Sequence, residues 1–204
     1  MTTASTPGSA LPTLPLTGRG AELAWLTSAL VDADAGRGGV LSLAGGGGVG
    51  KWRLAQALAE IATARKWMVV TGRAYPVERG VPYALFADAF VPFLRRLDAG
   101  RLQLLTRGGG SELAQLFPAL ADDASAGRAP RGDPTELKAR LHWTFAQLLG
   151  RLAQKQPLLV VLENLQWADA SSLELLHFAA RQVKGERLHW QDDPTDGGDE
   201  DKCE

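Results

Sequence analysis

Apolar residues recur along the chain in two rhythms. In four stretches they return every three or four positions, as on one face of a helix. Leu23, Leu26 and Leu30 predict a helix over residues 20–35, ended by Gly36-Arg-Gly-Gly39. Leu54, Leu58, Ile61 and Ala62 predict a second, from Lys51 to Arg65. Leu137, Leu141, Phe145, Leu148 and Leu152 line a third, which opens on Asp133-Pro-Thr-Glu136. There Asp133 can cap free N–H groups, Pro134 suits the first helical position and Glu136 can complete a capping box. A fourth runs from Ala170 to Arg181, with Asp169 placed to cap it. Pro82 to Leu97 is predicted helical with an interruption at Pro92, and residues 98–133 hold short helical pieces.

Between these lie short continuous apolar runs: Val40 to Ala44, Trp67 to Thr71, and Leu158 to Leu162 after Pro157. Continuous rather than alternating apolarity predicts strands covered on both faces. Strands of that kind, alternating with helices, argue for an α/β fold with a parallel sheet.

Composition changes this picture at the ends. Residues 1–15 are rich in Ser, Thr and Pro and are expected to be a flexible N-terminus. The globular part is expected over residues 16–183. Residues 184–204 are expected to form an acidic disordered tail, since apolar residues nearly vanish there. Eight acidic and two basic residues lie from Glu186 onward, so the overall net charge of -1 conceals a body of net +5. A mildly basic body suits an anionic ligand, whereas near-neutrality argues against direct nucleic-acid binding. The single cysteine, Cys203, allows no disulfide within the chain. The first residues lack the pattern of a signal peptide, and the apolar runs are too short to span a bilayer. These features read as a soluble, cytoplasmic protein with no membrane partner.

The chemistry concentrates in Gly45-Gly-Gly-Gly-Val-Gly-Lys51, placed after a predicted strand and before a predicted helix. Glycines at Gly45, Gly46, Gly47, Gly48 and Gly50 let successive backbone N–H groups turn inward around phosphate oxygens, with Val49 between them. The helix N-terminus adds free donors and a favourable dipole, and Lys51 would reach the terminal phosphates. The plainer alternative is a glycine-rich turn followed by a solvated lysine. The next position is Trp52, where this pattern calls for a Ser or Thr hydroxyl on Mg²⁺. Indole has one N–H donor and no lone pair for a cation.

A second constellation is Leu158-Leu-Val-Val-Leu-Glu163-Asn164. An apolar strand ending in a carboxylate is how a phosphate-loop protein holds Mg²⁺, which makes Glu163 the candidate metal ligand. Asn164 stands where an acid would orient or activate the attacking water, and a neutral amide cannot take that proton. Lys51, Glu163 and Asn164 are thus the candidate catalytic residues. The three histidines are widely spaced in sequence, and His142 and His177 read as structural or solvated helix residues.

Four stretches together resemble the N-terminal part of a STAND-class AAA ATPase domain of the kind found in LuxR-type transcriptional regulators. They are Leu16-Thr-Gly-Arg-Gly-Ala-Glu-Leu23, Gly45 to Ala55, Gly72-Arg-Ala-Tyr-Pro76 with Val81-Pro-Tyr83 and Phe86-Ala-Asp-Ala89, and Leu159 to Asp169 with Ser171 to Leu176. The resemblance implies a P-loop NTPase fold, three-layer α/β/α around a parallel sheet, with ATP and Mg²⁺ as cofactors. It implies that Gly18 and Arg19 lie near the base and ribose, and that Gly45 to Trp52 surround the phosphates. Trp167 and Asp169 belong to its signature, although locally they read as a packed aromatic and a helix cap. Arg73 reads as a surface or ion-pair arginine that could lie near the ligand. The family carries Ser or Thr at position 52, Asp at 163 and an acid at 164. All three differ here, so the expectation is ATP binding with poor hydrolysis. The implied sheet order sets a fourth strand between the phosphate-loop strand and the strand ending at Glu163. No apolar run after Arg181 supplies it, so the sheet is expected to be incomplete on its C-terminal side and the chain to be a truncated piece of a larger regulator. Two alternatives remain open: an interaction module that binds no nucleotide, serving a protein partner or self-association, and a working ATPase that tolerates these residues.

Overall fold

In the computed structural model the described residues are 18–106, 110–117 and 133–184. The expectations for residues 1–15 and for the tail beyond Lys184 lie outside them. Seven helices and two strands follow in order: α1 (Gly20–Asp34), α2 (Lys51–Ala64), β1 (Met68–Arg73), α3 (Ala84–Leu94), α4 (Ala99–Thr106), α5 (Gly110–Leu116), α6 (Pro134–Lys155), β2 (Leu158–Glu163) and α7 (Ala170–Lys184). Short 3₁₀ turns lie at Pro76–Glu78 and Leu165–Trp167.

The strands pair in parallel, Met68 beside Leu158 through to Arg73 beside Glu163. Side chains alternate across a strand, and here the alternation builds three layers. Met68, Val70, Leu158, Val160 and Leu162 join a cluster with Phe86, Phe90, Phe145, Leu148 and Leu175 from α3, α6 and α7. Val69 and Leu159 face the other way, onto Leu26 and Leu30 of α1 and Leu54, Leu58 and Ala62 of α2. Phe86, Phe90 and Phe145 meet edge to face at 5.0 and 5.3 Å, the arrangement favoured by the quadrupoles of aromatic rings. Trp67 anchors α1 by donating its indole N–H to Asp34 Oδ1 at 3.0 Å. At Gly72 a Cβ would lie 2.6 Å from Ala89 Cβ and 2.7 Å from the Leu85 carbonyl oxygen, so α3 rests directly on the strand backbone.

The helix ends follow the expected chemistry. Asp133 Oδ2 accepts from the N–H groups of Thr135 and Glu136 at 3.0 and 3.3 Å, and Pro134 takes the first helical position. Asp169 caps α7, as expected. α3 runs through Pro92 instead of being broken by it.

A second expectation fails. Val40 to Ala44, predicted as a buried strand, pairs with neither strand and is partly exposed. A ladder needs a neighbour, and an apolar run cannot supply one alone. In the implied sheet order that neighbour is the fourth strand, and among the described residues none stands there. Leu43 still packs against the α1–α2 cluster, so the segment keeps its place without its hydrogen bonds. The same gap leaves β2 only partly covered at all six positions.

Candidate functional site

The loop Gly45 to Gly50 enters α2 through a left-handed residue, Gly50, with φ at +85°. Gly45 and Gly48 also have positive φ, at +142° and +78°. These conformations strain any residue bearing a Cβ, which is why glycine occupies them. A Cβ at Gly46, Gly47, Gly48 or Gly50 would meet nothing within 4 Å, so the loop stands clear of the rest of the chain.

Two cations close on it. Lys51 folds back and donates its ammonium to the Gly45 and Gly46 carbonyls, the latter at 2.8 Å. Arg19 donates to the Val49 carbonyl at 2.9 Å and to Glu22 Oε1 at 2.9 Å. Gly18, at φ +78°, turns the chain just before Arg19. The structure therefore brings Gly18, Arg19 and the loop together across thirty residues. Sequence reading placed Arg19 at the base or ribose and missed this bond to the loop. Trp52 lies on the first turn of α2 with 55% of its surface exposed, and does not fold under the loop.

The strand ends carry the second group of candidate residues. Arg73 and Glu163 are register partners at the last positions of β1 and β2. Both Arg73 Nε and Nη2 donate to the same oxygen, Glu163 Oε2, at 2.9 and 2.6 Å. The carboxylate raises the Arg73 pKa further, first through that hydrogen bond and then through its charge. Arg73 is thus an ion-pair residue, as its sequence reading held, and its partner is the expected metal ligand. Its backbone N–H donates to Asp88 Oδ2 at 2.8 Å. Asn164 follows in the left-handed region at φ +60°, which Asn tolerates better than most residues, and it is exposed.

Parity and length set these groups relative to α2. Val69 and Leu159 face α2, so Thr71, Arg73, Val161 and Glu163 share that face by the two-residue repeat. Only three residues separate the end of α2 from β1, so α2 runs back alongside the strands. Fourteen residues of helix and six of strand both extend about 20 Å. The N-terminus of α2, with Lys51, therefore comes level with Arg73 and Glu163. Among the described residues no hydrogen bond joins Lys51 to Glu163 or Asn164, and Arg19 stays on the loop side.

Asp169 is 6% exposed and fully engaged. Its Oδ1 accepts from the N–H groups of Tyr83 at 3.1 Å and Ser172 at 2.9 Å, and its Oδ2 accepts from Ser172 Oγ at 2.5 Å. Arg79 lies 4.3 Å above the Trp167 ring and donates to the Gln166 carbonyl, so Trp167 is a packed aromatic.

A glycine loop opening a helix, at the carboxyl end of a parallel sheet, is a frame for phosphate. Comparison with known families agrees: the AAA ATPase domain matches residues 15–190. The chain belongs to the AAA ATPase domain family. No curated protein and no solved structure matches it. Membership implies a nucleotide-binding, NTPase-like domain of P-loop type, and the AAA family in general uses nucleotide together with Mg²⁺. In this AAA domain the sheet has two strands among the described residues. Among its described residues no helix is long and apolar enough to cross a membrane, and no three His, Cys, Asp or Glu side chains gather as metal ligands do.

Proposed function

We propose that this AAA domain is a regulatory ATP-binding module with little hydrolytic activity, of the STAND type that resembles the nucleotide switch of signal-responsive transcriptional regulators. The observation that carries the reading is the glycine loop, held by Arg19, opening α2 so that Lys51 comes level with the strand ends that bear Arg73 and Glu163. Gly45 to Trp52 would surround the phosphates, with Lys51 moving from the loop carbonyls to a phosphate oxygen. Gly18 and Arg19 would border the base and ribose. Poor hydrolysis follows from chemistry: Trp52 offers a cation no lone pair, and Asn164 cannot act as a base.

Isothermal titration with ATP tests the binding half. Saturable heat that disappears in Lys51→Ala is expected, and no heat up to millimolar ATP overturns it. Phosphate release tests the other half, since sustained turnover abolished by Lys51→Ala would show a working ATPase. The triple change Trp52→Thr, Glu163→Asp and Asn164→Asp is expected to raise turnover. No gain would assign the defect to the incomplete sheet. The engagement of Glu163 by Arg73 and the unpaired side of β2 favour a second reading, an interaction module that binds no nucleotide and uses the sheet for a protein partner or self-association.

A further inference from the structure

The carboxylates near the strand ends are each engaged through at least one oxygen. Glu163 Oε2 holds two N–H groups of Arg73. Asp169 has both oxygens taken within the fold, and Asp88 Oδ2 accepts from the Arg73 backbone. Trp52 has no lone pair to give and Asn164 carries no charge. A hard cation such as Mg²⁺ takes oxygen ligands, usually one or two carboxylates beside the substrate phosphates. Glu163 could give such an ion only its other oxygen, where the ion would also face the Arg73 guanidinium, so these residues fit it poorly.

That guanidinium is a fixed positive charge at the strand end. It lies on the α2 face of β1, level with Lys51, and 48% of its side chain is exposed while that of Glu163 is 18% exposed. Two of its five N–H donors serve Glu163, which leaves the others for an oxyanion in the plane of the fork. Arginine is always charged and matches phosphate geometry with paired donors. We propose that this domain takes its nucleotide as the metal-free polyphosphate anion, with Arg73 in the place of the divalent cation. The proposal rests on the nucleotide-binding reading and adds the ionic form of the ligand.

The metal complex of ATP arrives with two of its charges neutralised, and the carboxylate at the strand end, Glu163, is already paired with Arg73. Free ATP brings its full charge to Lys51 and Arg73. Affinity should therefore be no weaker without magnesium than with it, and it should fall when Arg73 is removed. Glu163 acts here as a positioning residue: it holds the fork at the strand end and gives up part of it to phosphate.

Titration of the intact chain with ATP, in excess Mg²⁺ and again in excess EDTA, decides the matter. Equal or tighter binding in EDTA is expected. Arg73→Gln should weaken the EDTA binding about tenfold or more. Arg73→Lys keeps the charge without the fork and should recover part of the loss, with circular dichroism confirming that each variant is folded. Binding about tenfold tighter in Mg²⁺, or unaffected by Arg73→Gln, overturns the proposal and leaves the nucleotide reading standing. Binding in neither condition overturns both.

Discussion

Asp169 joins two segments with one carboxylate, and the two halves of that role differ in how they can be read. A carboxylate directly before an apolar helix is a cap by local chemistry, and the bonds to Ser172 bear this out. The bond to the Tyr83 N–H spans 86 positions and follows from no local pattern. It holds Tyr83 in the left-handed region, φ +63°, just before α3. Asp169→Ala should therefore cost more than an ordinary cap, about 2–3 kcal/mol in urea unfolding. Asp169→Asn, which keeps an acceptor oxygen, should cost less. His142 gives a pH signature. It is 8% exposed, its Nε2 has no partner, and it sits beside Tyr83 and Phe178. Burial, then the charge of Lys138, pushes its pKa below 6.5, against the smaller opposing pull of Glu174. The unfolded chain thus takes up the proton first on acidification. Stability from this residue is complete above the unfolded value and falls as pH drops below it toward the folded one. The urea midpoint should drop between about pH 7 and pH 5.5, and by less in His142→Phe, which has nothing there to protonate.

At the scale of elements, the helices and both strands were legible because each carries its own signal, an apolar period, a cap or a bounded run. Val40 to Ala44 carried the same signal as β2 and did not become a strand, because pairing is supplied by a neighbour and not by the run itself. The candidate site divides similarly. The glycine loop and Lys51 are local and could be read, as could the unusual Trp52 and Asn164. The Arg73–Glu163 fork depends on strand register, and the Arg19–Val49 bond depends on how α1 lies against α2. Among the described residues no strand lies beyond β2, and this has a measurable outcome. Met68 N–H donates to the Pro157 carbonyl at one end of the ladder and Ala74 N–H to the Glu163 carbonyl at the other. In a parallel ladder this sets the amides of Leu159, Val161 and Glu163 toward β1, and those of Leu158, Val160 and Leu162 toward the uncovered edge. Hydrogen exchange should show slow amides at 159, 161 and 163 and fast ones at 158, 160 and 162. Six uniformly slow amides would mean that another strand covers that edge.

For the molecule as a whole, the sheet separates two hydrophobic clusters of unequal size. The one under α3 to α7 is large and aromatic; the one under α1 and α2 is small and aliphatic except for Trp67. Two strands are a thin seam between them, so the smaller layer should open before the larger. Without ligand, α1 and α2 should exchange their amides faster than α3 and α6, and thermal unfolding should be broad or biphasic; one sharp transition seen identically by every probe would contradict this. The glycine loop, Lys51 and Arg19 all belong to the smaller layer, while Arg73 and Glu163 belong to the seam. A nucleotide held by both would act as a fastener. It would stabilise the weaker half by mass action and draw two unfolding events into one. Cooperativity, and not only midpoint, would then report occupancy: the domain would melt as a single body when loaded and in parts when bare.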